Sequence, residues 1–192
     1  VRYANITKGY GIKYWQLGNE QDHHAKTYPL DQFEVDYKRM AKAMHEVDPE
    51  IKTSPGLLQN WNSEMLYYCP EYVDFISCHQ YLWFGGSETE AYSAWKDFGS
   101  NLVPHITKNQ GIVSSSNRNL EIFVTETGIT GGKYPDPQVF NLYKALILFE
   151  MQMEQIASKN VKYTFYWGTH TPWNGELGDS PDATLFANDD TN

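Results

Sequence analysis

The chain alternates short apolar runs with stretches whose apolar residues recur every three or four positions, and it does so along most of its length. A short apolar run reads as a strand buried on both faces, and the three-to-four spacing reads as an amphipathic helix. Lys13–Leu17 is the first such strand. Asp31, with Glu34 following, forms a capping box that opens a helix carrying Phe33, Tyr37, Met40, Ala41, Met44 and Val47 on one stripe. Asp48-Pro49 stops it, because proline disfavours helical geometry in the residue before it. The pattern then recurs. Ile51–Ser54 precedes a short helix near Asn62–Tyr68, and Val73–His79 precedes a helix over Ala91–Lys108. Leu120–Glu126 precedes a long helix from about Pro137 to Ser158, and Lys162–Trp167 is the last strand. The long helix is read with Phe140, Leu142, Leu146, Phe149, Met153 and Ile156 as its apolar stripe.

Strands alternating with helices imply a parallel sheet, covered on both faces. The strand starts near 13, 51, 73, 120 and 162 recur at roughly the pitch of a (β/α)8 barrel, in which about 250 residues are shared among eight units. There is no room before Lys13 for further units, and the residues after Trp167 read as loop and polar tail. The predicted class is therefore α/β: the carboxyl-terminal portion of a (β/α)8 TIM barrel, about strands 4 to 8. A single partial domain is expected over residues 1–192. The first residue is Val, and no charged, apolar, small-residue leader precedes the domain, so either a leader was removed or the chain is a piece of something longer.

Composition narrows the partners. Hydrophobic residues make up 41% of the chain, with 14 Tyr and 6 Trp, ample for a core. A net charge of −9 argues against binding nucleic acid through a broad phosphate-facing surface, and a neutral ligand such as a sugar fits better. No membrane span is expected, since even Leu142–Met153 is interrupted by Lys144 and Glu150. Cys69 and Cys78 read as two buried thiols.

Two of the apolar strands lead into glutamates. Tyr14-Trp15-Gln16-Leu17 is followed by Gly18-Asn19-Glu20, and Ile122-Phe123-Val124-Thr125 by Glu126. Paired carboxylates are the minimum apparatus for cleaving a glycosidic bond, one handling the proton and the other attacking the sugar. With this spacing, Asn19-Glu20 and the strand-terminal Glu126 resemble the motifs of the clan A glycoside hydrolases, and Trp15-Gln16-Leu17-Gly18-Asn19-Glu20 is similar to the arabinofuranosidase branch of that clan. The resemblance implies a retaining double displacement, with Glu20 as acid/base, its pKa raised by an apolar site and by the charge of Glu126, and Glu126 as nucleophile. It further implies that Asn19 bonds the sugar 2-hydroxyl, that His79 and Tyr81 stand near the nucleophile with Tyr81 donating to Glu126, and that Trp167 forms an aromatic floor under the sugar. Trp61, Trp83, Phe84 and Trp173, in loops after strand ends, are candidate outer subsites. The implied substrate is a plant or algal polysaccharide or oligosaccharide, cleaved in exo or endo fashion, which favours a secreted or periplasmic setting. The implied partner is the missing amino-terminal half of the barrel. A non-catalytic carbohydrate-binding or scaffold remnant is the competing reading.

Other chemistries lack their motifs. Asp22-His23-His24 is a dense polar cluster, but adjacent histidines do not readily face one ion, and no His-Glu-x-x-His or Cys-x-x-Cys spacing occurs. His23 and His24 are read as rim residues, and neither a metal nor a cofactor is expected. There is no Gly-x-Ser-x-Gly elbow, no phosphate-binding loop, and no dinucleotide fingerprint around Gly9-Tyr10-Gly11.

Overall fold

A computed structural model describes residues 1–83, 102–130 and 142–167, together with Ser93 and Lys96. The chain divides into two units, Val1–His79 with His105–Phe123, and Gln80–Pro104 with Val124–Asn192. The described elements alternate as the sequence pattern requires. In order they are a π-helical turn at Arg2–Thr7, β1 Tyr14–Leu17, α1 Leu30–Val47, β2 Lys52–Pro55, α2 Asn62–Tyr68, β3 Ile76–Trp83, α3 Pro104–Ser115, β4 Ile122–Thr130, α4 Leu142–Ala157 and β5 Val161–Tyr166. β1 pairs with β2 in parallel, Tyr14 beside Lys52 and Leu17 beside Pro55. β3, β4 and β5 lie in that order in a second sheet. No helix among the described residues is long and apolar enough to cross a membrane.

In the first unit α1 buries Phe33, Tyr37 and Ala41, and its other apolar residues stay nearer the surface, Met40 being 40% exposed. Each fully buried large side chain contributes about 1.5–3 kcal/mol. Beside it Phe75 and Phe123 meet at 4.4 Å between ring centroids, and Tyr14 leans on Phe123 at 4.9 Å. α1 ends at Val47, with Asp48 extended, as Pro49 dictates. Its start differs from the expectation. Pro29 is the residue before the helix and no side chain caps it; Asp31 already lies in the first turn, where its carboxylate accepts the Gln32 N–H at 2.9 Å. Pro29 pre-sets the entry, and an acidic residue in the first turn still suits the helix dipole. Cys69 and Cys78 are both buried and unpaired, as expected.

The third and fourth strands are displaced from their sequence-based bounds. Val73 and Phe75 are buried, so they read as strand, but the Asp74 region is tied to β2 instead. The Thr53 N–H donates to the Asp74 carboxylate at 2.8 Å, and the Asp74 N–H to the Thr53 carbonyl at 2.9 Å. β3 begins only at Ile76 and continues to Trp83, and β4 runs past Glu126 to Thr130. Helix α3 starts at Pro104, where a missing N–H costs nothing, and extends to Ser115 rather than stopping at Lys108. Gly111 and two serines disguise that last turn; Ser114 and Ser115 donate their hydroxyls to carbonyls one turn back.

In the second unit α4 presents a different face from the one expected. Ile147, Met151 and Gln155 are buried, whereas Phe149, Met153 and Ile156 are 59%, 45% and 63% exposed. Gln155 decides the orientation: its amide donates to Thr127 Oγ1 at 2.7 Å, and its carbonyl accepts the Thr164 hydroxyl, so this face is tied to β4 and β5. The helix is apolar on two faces, and the stripe read from sequence is the uncovered one. Phe140 lies outside the described residues.

Candidate active site

Glu20 stands three residues beyond β1, in a turn that Gly18 enters with φ +102° and Glu20 itself occupies with φ +53°. A left-handed conformation is easy for glycine but costs a glutamate about 1–2 kcal/mol, so surrounding bonds must hold it there. One is the His23 N–H donating to the Glu20 carbonyl at 2.9 Å. A second constraint is steric. Gly56 is packed so closely beneath the turn that a Cβ on it would lie 2.0 Å from the Gly18 carbonyl oxygen. Asn19 is exposed, and its backbone N–H donates to Gln21 Oε1 at 2.6 Å.

The Glu20 carboxylate lies 2.6 Å from Nδ1 of His79, a fully buried side chain on β3. An ionised carboxylate only accepts, so the shared proton sits on Nδ1. The backbone of His79 is held on both sides: its N–H donates to the Leu58 carbonyl at 2.9 Å, and its carbonyl accepts from Nδ1 of His105 at 2.7 Å. The hydrogen bond from His79 is the largest influence on Glu20 and holds its pKa below the ordinary value of 4.5. Burial and the charge of Asp22 push the other way, and the charges of His79 and His23 reinforce the lowering. The sequence led to the opposite expectation, a raised pKa, because a histidine 59 positions away is invisible to local pattern. His79 therefore serves Glu20.

In the second unit Tyr81 donates its hydroxyl hydrogen to Glu126 Oε2 at 3.0 Å. Glu126 lies within β4, not at its end. The Tyr81 ring packs against Gly128, where a Cβ would come within 3.0 Å of the ring. Thr127, the next residue, points to the opposite side of the strand and bonds the Gln80 carbonyl at 2.9 Å, as the two-residue period requires.

The aromatic candidates divide. Trp61 immediately precedes α2 and is partly buried, its ring 6.2 Å from that of Phe33, so it packs on α1. Trp83 is the last residue of β3 rather than part of a loop. Trp167 follows β5, half exposed, with its N–H on the Thr127 carbonyl at 3.0 Å. Phe84 and Trp173 lie outside the described residues. His23 and His24 are exposed, their rings edge to face at 5.5 Å.

Two contributors were not legible beforehand. His105 steadies the His79 peptide. Asp22, read with the rim cluster, is instead 8% exposed and accepts three backbone N–H groups: Leu58 on Oδ1 at 2.8 Å, and Gln59 and Asn60 on Oδ2 at 3.0 and 2.7 Å. The only local signal is its place two residues after Glu20.

No family model matches the chain. The intracellular exo-α-(1→5)-L-arabinofuranosidase of Acetivibrio thermocellus is 32% identical over an alignment of 125 positions that covers 59% of this chain and 25% of that protein. In fold the chain is similar to the thermostable GH51 α-L-arabinofuranosidase from Thermotoga petrophila RKU-1, with TM-score 0.56, 20% identity, and coverage of 86% of this chain and 37% of that one. It is also similar to the α-L-arabinofuranosidase from Thermotoga maritima, with TM-score 0.52, 20% identity, and coverage of 88% and 38%. A glycoside hydrolase family 5 mannosidase from Rhizomucor miehei aligns with TM-score 0.50 at 16% identity, covering 89% of this chain and 45% of that one. The chain thus spans a quarter of the length of the curated relative and under half of each of these structures.

Proposed function

We propose, from a chain whose relatives and fold neighbours are glycoside hydrolases of clan A, that this is the carboxyl-terminal part, about strands 4 to 8, of a barrel enzyme that cleaves O-glycosidic bonds with retention. Glu126 is the nucleophile and Glu20 the acid/base. The observation that carries this reading is that each carboxylate has its own dedicated hydrogen-bond donor, His79 for Glu20 and Tyr81 for Glu126, two residues apart on one strand.

A phenol donating to Glu126 favours its ionised form, the form that attacks an anomeric carbon. Glu20, held ionised by His79, is ready as the base that takes a proton from water in the second displacement. For the first, Glu20 takes up a proton and passes it to the departing oxygen as the glycosidic bond breaks. Retention requires the two carboxyl groups to stand about 5–5.5 Å apart. Trp167 serves as an aromatic floor and Asn19 as a partner of the 2-hydroxyl. The substrate is an arabinofuranoside, the sugar class in the name of the curated relative, carried by a plant or algal polysaccharide or oligosaccharide. The apolar residues left exposed on β5 and α4, among them Phe165, Phe149 and Ile156, fit a barrel whose first strands and helices come from elsewhere in the parent chain.

The test is turnover of aryl glycosides, α-L-arabinofuranosides first, by the full parent protein. Glu126→Ala should abolish turnover, whereas Glu20→Ala should retain it on activated leaving groups and regain rate with added azide. Tyr81→Phe removes a hydrogen bond to a charged group worth about 1.5–3 kcal/mol, and so should cost roughly tenfold or more. Undiminished turnover in Glu126→Ala refutes the assignment. Sugar binding without turnover in the unaltered parent favours the non-catalytic scaffold.

A further inference from the structure

Four hydrogen-bonding residues of the first unit close a ring. The Glu20 carboxylate meets His79 Nδ1 at 2.6 Å, and the His79 N–H donates to the Leu58 carbonyl at 2.9 Å. The Leu58 N–H in turn donates to Asp22 Oδ1 at 2.8 Å, and Asp22 lies two residues along the chain from Glu20. We propose that Asp22 is a positioning residue that locks the loop after β2 to the turn after β1, and through Leu58 and His79 sets where the Glu20 carboxylate sits. This rests on the glycosidase reading for its catalytic meaning, though not for its geometry.

The chemistry at Asp22 suits that task. A carboxylate offers two oxygens that only accept, and here three consecutive backbone N–H groups converge on them at 2.7–3.0 Å. An asparagine of the same shape would turn an NH2 group toward one part of that cradle, donor against donor. The site is nearly buried, so the mismatch is not relieved by water. Glu20 also occupies a left-handed backbone conformation, which persists only where neighbouring bonds over-determine it. The Asp22 clasp, anchored two residues on, supplies three such bonds.

Two roles for Asp22 make opposite predictions. As a nearby negative charge alone it raises the pKa of Glu20, so removing the charge lowers the midpoint; as the anchor of the loop bearing Leu58 it keeps His79 on Glu20, so losing it raises the midpoint. The charged groups facing Glu20 in this unit are His79, His23 and Asp22 itself. The experiment is a carbon-13 carboxyl titration of Glu20 in the full parent protein, unaltered and carrying Asp22→Asn, with a thermal melt to confirm folding. An upward move of the midpoint supports the anchor; a downward move or none overturns it. Should Asp22→Asn fail to fold, Asp22→Glu decides. It keeps the charge but moves the acceptor oxygens out by one methylene, and an unchanged or lowered midpoint again overturns the proposal.

Kinetics add a readout that a merely structural role would not move. In the folded variant kcat should fall by about tenfold or more for glycosides with poor leaving groups, which need the proton, while activated aryl glycosides and KM change little. A uniform loss across leaving groups counts against the anchor. If the unaltered parent hydrolyses nothing, the glycosidase reading fails, and the titration still judges the ring.

Discussion

Gly56→Ala should be among the most damaging single-methyl changes in the described residues, because its new atom meets backbone rather than a side chain that can swing aside. An added Cβ would lie 2.0 Å from the Gly18 carbonyl oxygen and 2.4 Å from its carbon, with Gln16 Nε2 at 2.9 Å. Ordinary contact begins near 3.4 Å, so the two loops must part by more than 1 Å. The Gly56 N–H bond to the Leu17 carbonyl, 3.1 Å long, resists that movement. Overpacking of this kind costs about 1–3 kcal/mol, and an immovable backbone neighbour places it at the upper end. At about 2–4 °C per kcal/mol for a chain of this size, Tm should fall by roughly 6–12 °C. Gly111→Ala is the control. It lies within helix α3, a Cβ there meets nothing within 4 Å, and alanine in a helix gains about 0.5–1 kcal/mol over glycine. Thermal and urea melts of the two variants should move in opposite directions. A Gly56→Ala protein as stable as the parent would refute the close approach of the two loops, and with it the account of what holds the Glu20 turn.

The Glu20–His79 contact carries a pH signature. A carboxylate whose folded pKa is lowered contributes stability that is present above its ordinary value of 4.5 and is lost as pH falls through the folded value. The Tm gap between the unaltered protein and His79→Leu should therefore narrow as pH drops from 6 to below 4.5, and a gap that is constant or widens argues against the contact. The thiols supply an independent check on the core. Burial pushes Cys69 up to about 11 and Cys78 up to about 12, so neither should react with a thiol reagent at pH 8 until guanidinium unfolds the chain. Prompt labelling of the native protein would contradict their burial.

Much of the scaffold follows from local rules. Asp48-Pro49 ends α1 because the constraint acts on the neighbouring residue, and α2 spans the Asn62–Tyr68 segment read from its pattern alone. The two glutamates, with the strand-like runs before them, were equally legible. Failures came where apolar character and hydrogen bonding part company: Val73 and Phe75 are buried yet precede β3, because Asp74 pairs with Thr53 instead. On α4 both faces are apolar, and nothing local says that Gln155, a polar residue, marks the inner one.

Sequence by itself determined the alternation of strand and helix, the acidic charge and the presence of the two carboxylates, since each depends on residue types and short spacings. Only the tertiary structure decided which donors those carboxylates meet. Glu20 meets His79, Glu126 meets Tyr81 and Asp22 clasps the amides of Leu58 to Asn60, contacts that join residues dozens of positions apart. Electrostatic and hydrogen-bond energies depend on distance through space, and a linear chain does not display that distance until it has folded.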